Sequence, residues 1–162
     1  MFAALNATKL NPYRYANLDT KDLSIEIDNF WNGQKEVMLL LGTAGSGKSI
    51  TLQLKFMEAV GKWKPGDPLP IYFNLASNID LVEIIDSLNK ELGTNLRIED
   101  IKNAHLYIDS FDEGLGIVTS RETLIKEYIR KLKNPKILIS CKTDYLLNDD
   151  DHSWFMPESN TA

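Results

Sequence analysis

Short apolar runs divide the chain, and between them apolar residues return every three or four positions. The runs are Val37 to Leu41 (VMLLL), Ile71 to Leu75 (IYFNL), His105 to Asp109 (HLYID) and Ile137 to Ser140 (ILIS). Each has the length and composition of a strand buried on both faces. Pro70 stands just ahead of the second, where a strand tolerates proline. Ahead of the first run, Leu23, Ile27, Phe30 and Trp31 fall at helical spacing, with Thr20 placed to cap and Gly33 to end the turn. The aromatic pair of that helix suits either the core or the flank of a bound base. Ile50 to Val60 carries the stripe Leu52, Phe56 and Val60, and Gly61, Pro65, Gly66, Pro68 and Pro70 then break the pattern. A further helix has Leu81, Ile84, Ile85, Leu88 and Leu92 on one face and Gly93 as its stop. Residues 97–103 allow one more turn. Glu122 to Leu132 repeats the helical spacing with Leu124, Ile125, Tyr128, Ile129 and Leu132, and Asn134 and Pro135 stop it. Strands alternating with helices predict an α/β fold, a mostly parallel sheet with helices on both faces. Residues 1–19 show no sustained period and read as an arm, 20–147 as the core, and 148–162 as an acidic tail.

Where the first strand gives way to its helix the sequence is GTAGSGKS, Gly42 to Ser49. This is the full GxxxxGKS spacing of a phosphate-binding loop, and the residue types answer to that chemistry. Gly42, Gly45 and Gly47 let the backbone turn so that successive N–H groups face an anion. Lys48 brings a charge to the outer phosphates, Ser49 a hydroxyl to Mg²⁺, and the helix that begins here its positive dipole end. The expected nucleotide-binding set is Gly42, Thr43, Ala44, Gly45, Ser46, Gly47, Lys48, Ser49 and Ile50. The third apolar run then ends in acid: Asp109, followed by Asp112 and Glu113 in DSFDEG. An apolar strand ending in aspartate suits Mg²⁺, a hard ion that keeps several waters and needs few protein carboxylates. The metal set is therefore Ser49 and Asp109, with Asp112 and Glu113 expected either to polarise water or to cap the next helix. The fourth run brings Ser140, Cys141, Lys142 and Asp144 to the carboxyl end, the edge where open α/β sheets bind ligands.

Composition narrows the setting. With 162 residues, 43% of them hydrophobic, the chain has enough for one substantial core. A net charge of −5 argues against a broad nucleic-acid surface. Cys141 is the one cysteine, so an internal disulfide is excluded, and a reducing, cytoplasmic setting is expected. No apolar run has the length of a membrane span, and the first residues lack the layout of a signal peptide. His105 and His152 lack metal-ligand partners at useful spacing and read as structural.

Taken together, GTAGSGKS, LYIDSFDEG and ILISCKTDYL resemble the NACHT-type domains of the STAND class of signal-transduction ATPases, over about residues 23–145. The resemblance implies a three-layer P-loop NTPase core with ATP or ADP and Mg²⁺ as ligands. It gives Lys48 and Ser49 to phosphate and metal, Asp109 to the metal side, and Asp112 and Glu113 to water. Lys142 stands where the family's sensor arginine is expected; it keeps the charge but lacks the planar two-point fork. The family continues into a fifth strand, a helical lid and a winged helix, so the resemblance implies that the chain is a core fragment or a minimal protein. Protein partners or self-association are then expected through flanking domains. Other readings stay open. CKTD at 141–144 resembles the guanine-reading NKxD of GTPases, although Cys141 replaces its first residue and Asp112 stands where the companion DxxG motif has glycine. A non-hydrolysing nucleotide-binding interaction module fits the same residues. A small phosphotransferase would need lid arginines, yet only Arg121 and Arg130 lie beyond Asp109, both on a predicted amphipathic helix.

Overall fold

Each apolar run forms a strand, and the stretches between them supply the helices that cover the sheet. The computed structural model describes residues 2–6, 16–18, 20–42, 47–74, 80–109, 127 and 130–142. In chain order these form β1 (Phe2–Asn6), β2 (Ala16–Leu18), α1 (Thr20–Asn32), β3 (Val37–Gly42), α2 (Lys48–Lys62), β4 (Pro70–Asn74), α3 (Leu81–Leu92), one 3₁₀ turn (Ile98–Asp100), β5 (His105–Asp109) and β6 (Lys136–Lys142). The strands make one sheet in the order β2-β1-β3-β6-β5-β4. Within it β3, β6, β5 and β4 are parallel, and all their carboxyl ends lie along one edge.

Within the arm expected over residues 1–19, two described segments are strands. Phe2–Asn6 pairs antiparallel with β3 on one side and with Ala16–Leu18 on the other. The β3 edge provides a row of backbone donors and acceptors, and satisfying them orders a segment whose own pattern is too short to predict a strand. The helix expected over 122–132 lies largely outside the described residues; Glu127, Arg130 and Lys131 are helical.

Alternation along the strands sends side chains to two cores. One face carries Leu39, Ile71, Phe73, Leu106, Ile108, Ile137 and Ile139, all buried against Leu81, Ile85 and Leu88 of α3. The other carries Met38, Leu40, Tyr107 and Leu138 beneath Leu23, Ile27 and Phe30 of α1 and Leu52 of α2. Helices therefore cover both faces, as the α/β pattern predicts. No helix of the described residues is long and apolar enough to cross a membrane.

The helix ends are fixed by named groups. Asp80 caps α3, its Oδ1 accepting from the N–H of Val82 at 3.0 Å, and Gly93 ends the helix in the left-handed region at φ 67°. Helix α1 has no basic residue in its last turn. Lys136 of β6 fills that role, its Nζ donating to the carbonyls of Phe30 at 3.1 Å, Trp31 at 3.0 Å and Gly33. Trp31 in turn stacks on His105, ring centroids 4.2 Å apart. That contact lies at the amino end of β5, so the α1 aromatics serve the core there and do not flank the carboxyl edge.

Burial first, and the Lys136 ammonium second, push the His105 pKa down to about 4 from 6.5. The folded chain thus holds this ring neutral while the unfolded chain protonates it. Stability from this group is present above pH 6.5 and is lost as pH falls from 6.5 towards 4. His105→Phe keeps a ring on Trp31 and removes the titration. Comparing urea midpoints at neutral and acidic pH, the variant should lose about 1–2 kcal/mol less than the wild type, partial solvent screening of the ring being allowed for. Equal acid losses in the two proteins would reject the assignment.

Candidate functional site

The carboxyl edge of the parallel strands gathers polar groups on the face that α2 covers. Gly42 ends β3 and pairs in register with Lys142, the last residue of β6. Asp109 ends β5 opposite Asn74 of β4. On this face Met38, Leu40, Tyr107 and Leu138 are apolar or aromatic, and Asp109 and Ser140, two residues beyond Tyr107 and Leu138, continue the same rows. The rows thus change from core to chemistry within one residue pair.

Helix α2 starts at this edge. Gly47 precedes it at φ 87°, a left-handed conformation that a Cβ would strain. Its carbonyl accepts from the Thr51 N–H at 3.0 Å, the first helical bond. Among the described residues no side chain caps this helix, and its first turn carries no acidic residue. The electropositive end is thus left without an anionic side chain of its own. Lys48 Nζ reaches back to the Gly42 carbonyl at 2.9 Å, so the lysine ties the start of α2 to the end of β3.

Ser49 Oγ donates to Asp109 Oδ1 at 3.0 Å. Ser140 Oγ donates to the same oxygen at 2.7 Å, and Tyr72 Oη donates to Oδ2 at 2.7 Å. Asp109 is 1% exposed, and a carboxylate buried that far is tolerated only with such donors. Burial, and then the hydrogen bond to Asp109, hold the Tyr72 phenol far above its ordinary pKa, so it stays a donor at every physiological pH. Gln53 Nε2 of α2 donates in turn to Tyr72 Oη at 3.3 Å.

The structure therefore brings together Gly42, Gly47, Lys48, Ser49 and Asp109 from the expected set. Ile50 lies in the first turn of α2 with its side chain exposed, so only its backbone faces the task. Thr43, Ala44, Gly45, Ser46, Asp112, Glu113 and Asp144 lie outside the described residues. Of Lys142, and of Cys141 before it, the strand position alone is described. Ser140, near the carboxyl end of β6, is buried and donates to Asp109. Tyr72 was not legible as a site residue. Its one signal was a polar-tipped aromatic between Ile71 and Phe73, on the opposite face of β4 from both.

The donor set suits Mg²⁺. A hydroxyl and a carboxylate are hard oxygen ligands, and among the described residues no cluster of three or more His, Cys, Asp or Glu forms a self-sufficient metal cage. Mg²⁺ held mainly by water and phosphate oxygens needs only such a pair. The chain matches no protein-family model, no curated protein and no solved structure.

Proposed function

We propose that this chain binds ATP or ADP together with Mg²⁺ at the carboxyl edge of its parallel strands, and works as a slow nucleotide-dependent switch of the NACHT type. The observation that carries the reading is the Ser49–Asp109 hydrogen bond at 3.0 Å. It joins the end of GTAGSGKS to the end of HLYID, sixty residues apart in sequence, as a metal shared between the two motifs requires.

In this reading the loop N–H groups and the amino end of α2 bind the phosphates, and the Lys48 ammonium neutralises the outer ones. Ser49 and Asp109 hold Mg²⁺, which when bound spreads the negative charge of the phosphate oxygens. Asp112 and Glu113 orient a water for in-line attack on the γ-phosphate, and Lys142, whose strand position pairs with Gly42, contributes its charge to the γ-phosphate side. A lysine makes only point contact with phosphate, which fits slow turnover and a switch that persists in one state. Protein partners and a cytoplasmic setting belong to the same proposal.

Thermal unfolding with Mg²⁺ plus ATP, ADP, GTP or GDP tests the binding. Ligand at about a hundred times its dissociation constant adds roughly 2.7 kcal/mol of stability, and the adenine nucleotides should produce it. A shift with GDP alone would favour the guanine reading of CKTD. No shift with any of the four would end the nucleotide proposal.

A further inference from the structure

Asp109 is held from two sides, and only one side belongs to the phosphate-loop motifs. Ser49 and Ser140 both donate to Oδ1 and fill its two lone-pair directions, so the oxygen with capacity left for a cation's water shell is Oδ2. The restraint on Oδ2 is the Tyr72 hydroxyl at 2.7 Å. Tyr72 comes from β4, the edge strand, and its ring is fixed independently of the site, tilted against Phe56 of α2 with centroids 5.5 Å apart. Gln53, one turn into α2, orients the phenol oxygen.

We infer that Tyr72 is a positioning residue for the metal side of this site: its hydroxyl takes one lone pair of Asp109 Oδ2 and so sets the direction in which that oxygen can meet the water shell of a divalent cation. The inference rests on the Mg²⁺-nucleotide reading and deepens it by naming what sets metal affinity. A carboxylate offers about four lone-pair sites. Among the described residues three are occupied by Ser49, Ser140 and Tyr72, and the fourth lies on Oδ2, the oxygen that Tyr72 holds. Without the Tyr72 hydroxyl, Asp109 keeps its charge and both serine bonds but loses the donor on Oδ2. Partners one shell out from a metal typically change its affinity by about 10- to 100-fold when removed.

Tyr72→Phe is the direct variant, because it keeps the ring against Phe56 and deletes one oxygen. Binding of a fluorescent ATP analogue is followed while MgCl₂ is titrated, and again in EDTA. The half-saturating Mg²⁺ concentration should rise by about 10-fold or more, while affinity in EDTA stays at the wild-type value. Gln53→Met leaves all three donors on Asp109 and removes only the bond that orients the phenol, so a smaller rise of about 3-fold is expected and no folding defect. An unchanged Mg²⁺ requirement in both variants overturns the inference. So does a loss of affinity in Tyr72→Phe that is equal with and without Mg²⁺, since that is the mark of a merely structural role. If the wild type binds no nucleotide in either arm, the nucleotide reading itself falls and the inference with it. That result differs from a wild type that binds and a Tyr72 variant that matches it.

Discussion

Lys48→Ala should lose the Mg²⁺-nucleotide stabilisation while the free protein melts almost where the wild type does. In the free chain Lys48 makes a part-buried bond to the Gly42 carbonyl, and its loss is worth about 1 kcal/mol or less. With phosphate bound, the same ammonium is the one charged side chain that the loop motif aims at the outer oxygens. Truncating one partner of a close charge pair in a shielded site costs about 2–4 kcal/mol, or roughly 30- to 1000-fold in affinity. The two effects therefore separate in one experiment, thermal unfolding of both proteins with and without Mg²⁺ and ATP. A variant that shifts as far as the wild type removes Lys48 from the site. Single-turnover release of labelled phosphate with the same pair tests hydrolysis separately. Release no faster than the Lys48→Ala background would leave a binding module and end the ATPase part of the proposal.

The parts of this site that were legible in the sequence are those whose neighbours in space are also neighbours along the chain. Gly42 to Ser49 sits on one strand-to-helix corner, so spacing alone carries its geometry. Helix α3 was equally plain, because Leu81, Ile85 and Leu88 share a face and Gly93 marks its end; its Asp80 cap is added by the structure. Strand order was not. Nothing in VMLLL or IYFNL says that β6 and β5 lie between β3 and β4, because a strand buried on both faces carries no mark of its lateral neighbours. Phe2–Asn6 became a strand through the open edge of β3, a tertiary cause outside its own pattern. Tyr72 escaped for the same reason: its partner is Asp109, across the β4–β5 pairing and thirty-seven residues away. What the structure adds to the motifs is therefore lateral, namely which strands are adjacent and which hydroxyls converge on one carboxylate.

That convergence makes Asp109 the position where substitution should cost most, and the kind of cost depends on the replacement. Asp109→Ala deletes the acceptor of Ser49, Ser140 and Tyr72 together and leaves their buried and part-buried hydroxyls to find other partners. Each buried polar group left unsatisfied costs about 1–3 kcal/mol, and part is recovered as the hydroxyls rotate towards one another. A net loss of about 2–4 kcal/mol is expected, a large share of the 5–15 kcal/mol typical of a domain. Asp109→Asn keeps the shape and one carbonyl acceptor, removes a buried charge, and should unfold within about 1 kcal/mol of the wild type. Its metal behaviour should be the reverse of mild. An amide carbonyl lacks the charge that holds the water shell of Mg²⁺, so the half-saturating Mg²⁺ for ATP binding should rise by about 100-fold or more. Urea unfolding of the three proteins and Mg²⁺ titration of the asparagine variant make the comparison. If asparagine proves as Mg²⁺-responsive as aspartate, the cluster of Ser49, Ser140 and Tyr72 around residue 109 is a device for burying a charge, and the metal must be held elsewhere.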